Sequence, residues 1–209
     1  KLSAKEEARE WTARAKALKP VLEEAAPRIE RDRNIPKEIM DRLHEARIFK
    51  TIVPRSVGGA ELRPSTHAQV VAAIAEGDAS VAWCLGQCAC AGMASGYLEP
   101  EVAKEIFGDP RGVFTFGFTT HNPPCVAIEA EGGWKVTGKW NFGSGNRIAT
   151  WLGGHCRLCD RNGEPLRASN GTFLERTMIF PRSAATADET VWDVMGLCGT
   201  GSDPYAVED

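Results

Sequence analysis

Hydrophobic residues in the first half of the chain recur every three or four positions, which is the period of an amphipathic helix. This spacing runs through residues 3–33, and Pro20 within it is expected to kink the helix or split it in two. Four further helices are predicted. The first begins at Ile35-Pro36, and the second covers about residues 66–77 with an N-cap at Ser65 or Thr66. The third covers about residues 79–97, and the fourth runs from Glu99-Pro100 to near Gly108.

After Asp109-Pro110 the hydrophobic period changes to two, as expected for strands. The strand-like runs are "GVFTFGF", "CVAIEAEG", "WKVTGKWNF", "TWLGGHCRL" and "TFLERTMIF", and Gly, Asn and Pro separate them. An antiparallel sheet, in a small barrel or sandwich, is predicted for this half. The predicted fold is therefore α+β, with a helical N-terminal domain over residues 1–110 and an antiparallel β-barrel domain over 111–209.

Composition and charge narrow the class of protein. The 209 residues carry a net charge of −3, so bulk electrostatics gives no reason to expect nucleic acid or an anionic membrane as partner. The N-terminal sequence has no apolar segment like that of a signal peptide, and no run of about 18 apolar residues occurs. Seven cysteines do not form the pattern of a disulfide framework. A cytoplasmic location is expected.

Motifs for several common chemistries are absent or incomplete. Cys156-Arg-Leu-Cys159 has the spacing of a zinc half-site, but no second pair follows at a suitable distance, so no metal site is expected. Cys84 and Cys88 lie on the nearly uncharged helix predicted over 79–97, which is expected to be buried on most sides. The glycine-rich segments match no phosphate-binding loop, and no serine lies in a G-x-S-x-G turn. His121, in "TTHNPP", lines a cleft or lies on the plain surface, and the sequence leaves both open.

The stretch "GGWKVTGKWNFGSG" (132–145) combines strand alternation with an unusual end. Alternation would place Trp134, Trp140, Phe142 and Ser144 on one face, and burial of that face against the helical half is one interpretation. A second interpretation concerns the end of this stretch, where an aromatic ring and a hydroxyl are flanked by glycines. Glycine permits close backbone approach, the ring stacks, and serine donates a hydrogen bond, which together suit a planar heteroaromatic cofactor.

Three phrases, in order, resemble the acyl-CoA dehydrogenase superfamily: "IPKEIMDRLHEARIFKTIVPRSVGG", "GGWKVTGKWNFGSG" and "WDVMGLCGTGSDPYAVED". The last two are most similar to its flavin-dependent monooxygenase branch. The resemblance implies a helical N-terminal domain, a β-barrel middle domain and a C-terminal four-helix bundle. Because the sequence stops where the connection into that bundle should begin, the bundle is expected to be missing from it.

The resemblance also implies a flavin site for FAD or FMN. Ser144 matches the hydroxyl that reaches the flavin N5–O4 edge, and Phe142 matches the aromatic residue against the isoalloxazine. Ser144 and His121 are the catalytic candidates, although the position of a helix-four histidine found in many hydroxylases falls here at Cys90, Ala91 or Gly92. The residues implied to bind the cofactor are Phe118, Thr119, Thr120, Phe142, Ser144, Gly145 and Ser202.

The activity implied by the resemblance is that of a flavin-dependent monooxygenase, which uses reduced flavin and O₂ to hydroxylate an apolar or aromatic small molecule. A flavin reductase partner and a homo-oligomer, a tetramer or a dimer, are implied with it. Two alternatives stay open. One is an acyl-CoA dehydrogenase that oxidises the α,β bond of a CoA thioester, and the other is a truncated, non-catalytic subunit.

Overall fold

The first part of the chain is helical in the computed structural model, which describes residues 3–119 and 124–208. The helices are α1 (Ala4–Lys16), α2 (Lys19–Asp32), α3 (Lys37–Glu45), α4 (Pro64–Ala75), α5 (Ala79–Gly92) and α6 (Pro100–Phe107), and a 3₁₀ segment, Met93–Tyr97, continues α5. None of the described helices is long and apolar enough to cross a membrane.

Prolines set two of the helix boundaries. The predicted interruption near Pro20 is present, because α1 ends at Lys16 and α2 begins at Lys19 with the proline in its first turn. The predicted N-cap of α4 at Ser65 or Thr66 is wrong. This helix begins earlier, at Pro64, since a proline needs no hydrogen-bond partner for its nitrogen at the first helical position.

The helices share one hydrophobic core. Leu22, Ile29, Leu43, Ile74 and Leu85, from four helices, are among its fully buried side chains. Burying a side chain of this size stabilises the fold by roughly 1.5–3 kcal/mol. The spacing of three and four residues thus marked the positions that pack inward.

The second part of the chain forms a curled mixed sheet, a half-barrel of eight strands. In the sheet the order is β1-β5-β3-β4-β8-β7, while β2 pairs with β4 and β6 with β5. The strands are β1 (Phe114–Phe116), β2 (Phe118–Thr119), β3 (Val126–Ala130), β4 (Gly133–Asn141), β5 (Trp151–Cys159), β6 (Glu175–Pro181), β7 (Thr186–Ala187) and β8 (Tyr205–Val207).

The expectation of a purely antiparallel sheet is wrong. Strands β1 and β3 both run parallel to β5, with Phe114 opposite Trp151 and Val126 opposite Arg157. The other pairings are antiparallel. Side chains alternate between the two faces in parallel and antiparallel strands alike, so the period of two could not reveal the strand directions.

Trp140 lies at the centre of the sheet's own core. It is fully buried, stacks on Tyr205 with ring centroids 5.6 Å apart, and contacts Phe180. A Cβ at Gly154 would come within 2.4 Å of the Trp140 ring, so only glycine leaves room for it. The buried residues of this cluster all come from residue 125 onward, so Trp140 packs within the sheet, and the interpretation that it packs against the helical half is wrong.

The helices and the sheet meet where α5 packs on β1. Phe114 of β1 is buried with Phe107 and Val53 in a separate hydrophobic cluster. The 3₁₀ turn Cys198–Thr200 packs on α2 and α5 so closely that a Cβ at Gly199 would lie 2.1 Å from Ile29 Cγ2. This junction positions the candidate functional site.

The predicted division into domains at residue 110 stays a prediction.

Candidate functional site

The chain turns sharply after β4, and this turn carries Ser144. Strand β4 ends at Asn141, and Phe142 has a φ of 56°, in the left-handed region that side chains other than glycine rarely adopt. Phe142 is 59% exposed, whereas Ser144 is only 7% exposed. The predicted alternation therefore stops at Trp140, and Phe142 and Ser144 do not continue its face. The Ser144 hydroxyl instead lies inside the turn.

The hydroxyl of Ser144 belongs to a buried chain of hydrogen bonds. Trp83 Nε1 on α5 donates to Ser144 Oγ at 2.9 Å, and Ser144 Oγ lies 2.8 Å from Ser202 Oγ. Ser202 Oγ in turn lies 2.7 Å from Thr200 Oγ1, which donates to the carbonyl oxygen of Leu197 at 2.9 Å. Two of the residues implied by the resemblance, Ser144 and Ser202, are thus in direct contact.

Asn146 fixes the turn to the segment that carries Ser202. Its Nδ2 lies 3.0, 3.1 and 3.1 Å from the carbonyl oxygens of Gly143, Gly201 and Asp203, and these three acceptors share its two hydrogens. The side chain is fully buried, and the Gly145 N–H, at a φ of 79°, adds a bond of 2.9 Å to the carbonyl oxygen of Thr200. These bonds make the Ser144–Ser202 contact a fixed feature of the fold.

Cysteines of α5 form the apolar floor beneath the turn. A Cβ at Gly145 would lie 3.0 Å from Cys88 Sγ, and Cys84 Sγ lies 3.7 Å from the carbonyl oxygen of Thr200. Burial raises the pKa of Cys88 to about 12 and that of Cys84 well above its usual range. Both thiols are therefore neutral and act as small hydrophobic side chains, as expected from the sequence.

Cys156 and Cys159 lie on β5, away from the α5 thiols. Burial raises the pKa of Cys156 to about 12, which opposes the thiolate form that a metal would need. Within residues 3–119 and 124–208, no group of three His, Cys, Asp or Glu side chains is placed to hold a metal ion.

Aromatic side chains cluster around Phe142, two positions before Ser144. Phe142 contacts Phe118 edge-on with centroids 6.4 Å apart, and Trp192 at 6.2 Å. Phe118 is 69% exposed and Trp83 is 48% exposed. We call Trp83, Phe118, Phe142 and Trp192 the aromatic rim. Two of the implied cofactor-binding residues, Phe118 and Phe142, are therefore neighbours with their rings turned toward solvent.

Thr119 lies on the other side of β2 and is not part of the Ser144 network. It pairs with Trp140 across the strands, and its hydroxyl donates to the carbonyl oxygen of His155 at 3.1 Å. It also lines a cavity of about 360 Å³ that contains His155, Glu175 and Thr177, where His155 Nε2 is 3.2 Å from Glu175 Oε2. Thr120 and His121, two further site predictions, lie outside the described residues.

Trp83, Thr200 and Asn146 were not predicted from the sequence as parts of this site. Trp83 lies on a helix whose uncharged sequence favoured burial, whereas its side chain is 48% exposed. Thr200 lay within a phrase that had already been singled out, two positions before Ser202. Its contact with the turn depends on tertiary structure.

Residues 3–105 match the family model of the acyl-CoA dehydrogenase N-terminal domain. The segment belongs to that family. The resemblance to the acyl-CoA dehydrogenase superfamily is thereby confirmed, and it extends beyond the matched segment, because curated relatives align with most of the chain.

Indole-3-acetate monooxygenase of Pseudomonas putida is 34% identical over 184 residues, covering 86% of this chain and 43% of that protein. The flavin-dependent monooxygenase oxygenase subunit HsaA of Rhodococcus jostii (strain RHA1) is 29% identical over 198 residues, covering 94% of this chain and 48% of that protein. This chain therefore spans less than half the length of these two relatives.

A solved structure supports the fold along nearly the whole chain. XiaF from Streptomyces sp., in complex with FADH₂ and glycerol, superposes with a TM-score of 0.88 at 22% identity, covering 99% of this chain and 50% of that one. The helices followed by a curled sheet are thus a fold that this chain shares with that structure, and the predicted order of the two halves is confirmed.

Proposed function

We propose that this chain carries the flavin-contacting part of a flavin-dependent monooxygenase. The observation that carries the proposal is the Ser144 hydroxyl, which is nearly buried and accepts from the half-exposed Trp83, two positions after the exposed Phe142, whose ring contacts Phe118. A planar ligand would cover these rings and place one polar edge at Ser144. The names of the relatives, a monooxygenase for indole-3-acetate and a flavin-dependent oxygenase subunit, support this class of function.

The residues present fit a flavin by their chemistry. An isoalloxazine is a flat ring system with an apolar benzene portion and a polar edge at N5 and O4, which matches aromatic side chains beside a single hydroxyl. Phe142, Phe118 and Ser144 would hold this ring, with Ser202 behind Ser144, and Gly145 remains a proposed contact, although its missing Cβ makes room for Cys88. None of the described residues at this site selects FAD over FMN, so both cofactors belong to the proposal.

When bound, the reduced flavin supplies two electrons to O₂, so that one oxygen atom enters the substrate and the other leaves as water. This chain's own residues would bind and orient the ring, exclude water through the aromatic rim, and hold a hydrogen bond at N5 through Ser144. His121 remains a proposed proton-transfer residue, and Thr119 and Thr120 remain proposed contacts to the pyrimidine side.

The substrate and partners follow from the same proposal. An apolar or aromatic small molecule suits the rim, and the designation of one relative as an oxygenase subunit supports a separate flavin reductase as partner. A homo-oligomer and a cytoplasmic location also belong to the proposal, as does the division into a helical domain over 1–110 and a sheet domain over 111–209.

Isotope labelling tests the proposal. The purified protein is mixed with chemically reduced FMN or FAD, an indole or phenol, and ¹⁸O₂, and the product is examined by mass spectrometry. One ¹⁸O atom per product molecule is the expected result. Anaerobic bleaching of oxidised flavin by an acyl-CoA would instead indicate the dehydrogenase alternative, and a protein that binds neither flavin would indicate a non-catalytic subunit.

A further inference from the structure

We propose that Thr177 and His155 form a proton relay that takes up the hydroxyl proton of a phenol, and that a phenol is therefore the substrate class of the proposed reaction. The inference rests on the proposed function and makes its substrate more specific. Its basis is the cavity of about 360 Å³ that contains His155, Glu175 and Thr177. Phe118, a residue of the aromatic rim, lines the same cavity, so a ligand held there lies beside the proposed flavin site.

Strand pairing brings the polar side chains of this cavity together. His155 on β5 lies directly opposite Thr177 on β6, and Arg157 lies opposite Glu175. Because side chains alternate along a strand, these four positions share one face of the sheet, and the diagonal pair of His155 and Glu175 is within reach as well. The other face of the two strands is buried in the sheet's own core. The register of β5 and β6 therefore sets the positions of these side chains.

The contacts of His155 assign a role to each of its ring nitrogens. Nε2 lies 3.2 Å from Glu175 Oε2, and Nδ1 lies 3.4 Å from Thr177 Oγ1. A carboxylate can only accept a hydrogen bond, so Nε2 carries the hydrogen of the neutral imidazole. Nδ1 then has a lone pair, to which the hydroxyl of Thr177 donates. Glu175 is thus a positioning residue, which fixes the tautomer and stabilises the positive charge when Nδ1 accepts a proton.

Thr177 lies where this surface changes from polar to apolar. A second cavity, of about 330 Å³, shares Thr177 and Phe116 with the first. Most of its other side chains are apolar, and they include Leu98, Phe114 and Ile179. An aromatic ring suits the apolar cavity, and a hydroxyl on that ring suits the contact with Thr177. The two cavities together therefore fit a molecule with an apolar ring and a polar end.

The charges in the polar cavity favour a hydroxyl over a carboxylate as that polar end. Among the described residues, the charged or titratable side chains that line it with His155 are those of Glu175, Arg157, Cys125 and Cys156. The guanidinium of Arg157 stacks on Phe173, 3.8 Å from the ring centroid, whereas the carboxylate of Glu175 contacts His155. A substrate carboxylate would therefore meet a like charge beside His155. A neutral hydroxyl avoids this repulsion.

The proposed step is a proton transfer in which no electrons are gained or lost. The substrate O–H bond breaks as its proton passes to Thr177 Oγ1, while the proton of Thr177 passes to His155 Nδ1. A phenolate and an imidazolium result, and Nε2–H keeps its hydrogen bond to Glu175. The phenolate oxygen donates electron density to the ring, so the ring carbons react more readily with an electrophilic oxygen atom. General base catalysis of this kind contributes about 10²–10⁴-fold to a rate.

Binding of 4-nitrophenol in the absence of flavin tests the relay, because this phenol absorbs visible light as the phenolate. Absorbance is recorded with saturating protein between about pH 5 and pH 8, where histidine side chains ordinarily titrate. Wild type should hold more of the probe as phenolate than free solution does at the same pH. In His155→Gln and in Thr177→Val the ratio of phenolate to phenol should fall about fivefold, as expected for the loss of one hydrogen bond.

Thr177→Ser is the matched control, since it restores the hydroxyl and should restore the ratio. Glu175→Gln keeps an acceptor for Nε2 but removes the charge, so it should lower the ratio less than His155→Gln does. Thermal unfolding shows that each variant is folded. His121→Gln tests the other proposed proton-transfer residue. A ratio that His121→Gln lowers and His155→Gln leaves unchanged would overturn the relay.

The outcomes separate the two proposals. A wild-type protein that inserts ¹⁸O into a phenol, yet holds 4-nitrophenol at the phenolate ratio of free solution, would overturn the relay and leave the proposed function intact. A folded wild-type protein that binds no 4-nitrophenol would overturn the phenol site. A ratio that depends on His155 and Thr177, in a flavin-loaded protein that inserts no ¹⁸O, would support the relay and overturn the proposed function.

Discussion

Arg147 and Asp203 form a two-point ion pair beneath the candidate site, with Nε 2.6 Å from Oδ2 and Nη2 3.0 Å from Oδ1. The side chain of Asp203 is fully buried and that of Arg147 is 9% exposed. The pair joins the turn that carries Ser144 to the segment that carries Ser202. Removal of the carboxylate would leave a guanidinium buried without its partner.

Asp203→Ala is therefore expected to lower the free energy of unfolding by about 3–5 kcal/mol, the usual result of breaking a buried ion pair on one side. Urea denaturation measures the effect. Glu10→Ala is the control, because Glu10 pairs with Arg14 on the exposed face of α1 and its loss should cost under about 1 kcal/mol. Equal losses of unfolding free energy in the two variants would show that the buried pair stabilises the fold no more than an exposed pair does.

The packing around Trp140 gives a second prediction. Gly154→Ala would place a methyl group within 2.4 Å of the Trp140 ring, and overpacking of this kind destabilises a core by about 1–3 kcal/mol. Gly133→Ala, at the start of β4, meets nothing within 4 Å and should leave stability almost unchanged. Thermal unfolding compares the two. A fully stable Gly154→Ala protein would contradict the description of this core.

Lys50 gives a pH-dependent prediction. It is 3% exposed, its Nζ donates to the carbonyl oxygen of Phe107 at 2.9 Å, and burial lowers its pKa to about 8. In the unfolded chain the pKa of lysine is about 10.4. Between these values the unfolded chain binds more protons at this side chain than the folded chain, so the free energy of unfolding rises with pH.

Lys50→Met isolates this effect, because the other titrating groups contribute equally in both proteins. The free energy of unfolding of wild type minus that of the variant should increase by about 2 kcal/mol between pH 7 and pH 10. Urea denaturation at several pH values provides the data. A difference that stays constant over this range would show that Lys50 keeps an ordinary pKa.

Ser144 gives a prediction about coupling of the proposed reaction. Ser144→Ala removes the hydrogen bond at N5, so more O₂ should be released as hydrogen peroxide instead of entering the substrate. An increase of several-fold in peroxide per reduced flavin consumed is expected for the loss of one hydrogen bond. A peroxide assay measures it, and an unchanged yield would exclude this role for Ser144.

Local patterns predicted the elements of this fold well. The three-to-four spacing located the helices, and the change of period after residue 110 preceded the first strand, Phe114–Phe116. Strand directions could not be predicted, because alternation along a strand is the same in parallel and antiparallel sheets. The end of the alternation after Trp140 could not be predicted either. Phenylalanine is common in strands, but the tertiary surroundings of Phe142 hold it at a φ of 56°.

The candidate site was predicted only in part. Ser144, Phe142 and Ser202 were identified through resemblance, and the structure brings Ser144 and Ser202 together although 58 positions separate them. The contribution of Trp83 could not be predicted, because it depends on α5 packing on the turn between β4 and β5. Hydrogen bonds between distant segments leave no periodic signal in a sequence.

Nitrogen NMR detects the proposed contact between Ser144 and N5 of a bound flavin. Reduced FMN labelled with ¹⁵N is bound anaerobically to wild type, to Ser144→Ala and to Ser95→Ala, a buried serine that donates to the carbonyl oxygen of Gly92. The N5 resonance is expected to change in Ser144→Ala alone, while the N10 resonance stays the same in all three proteins. Bound flavin with the same N5 resonance in wild type and Ser144→Ala would contradict it.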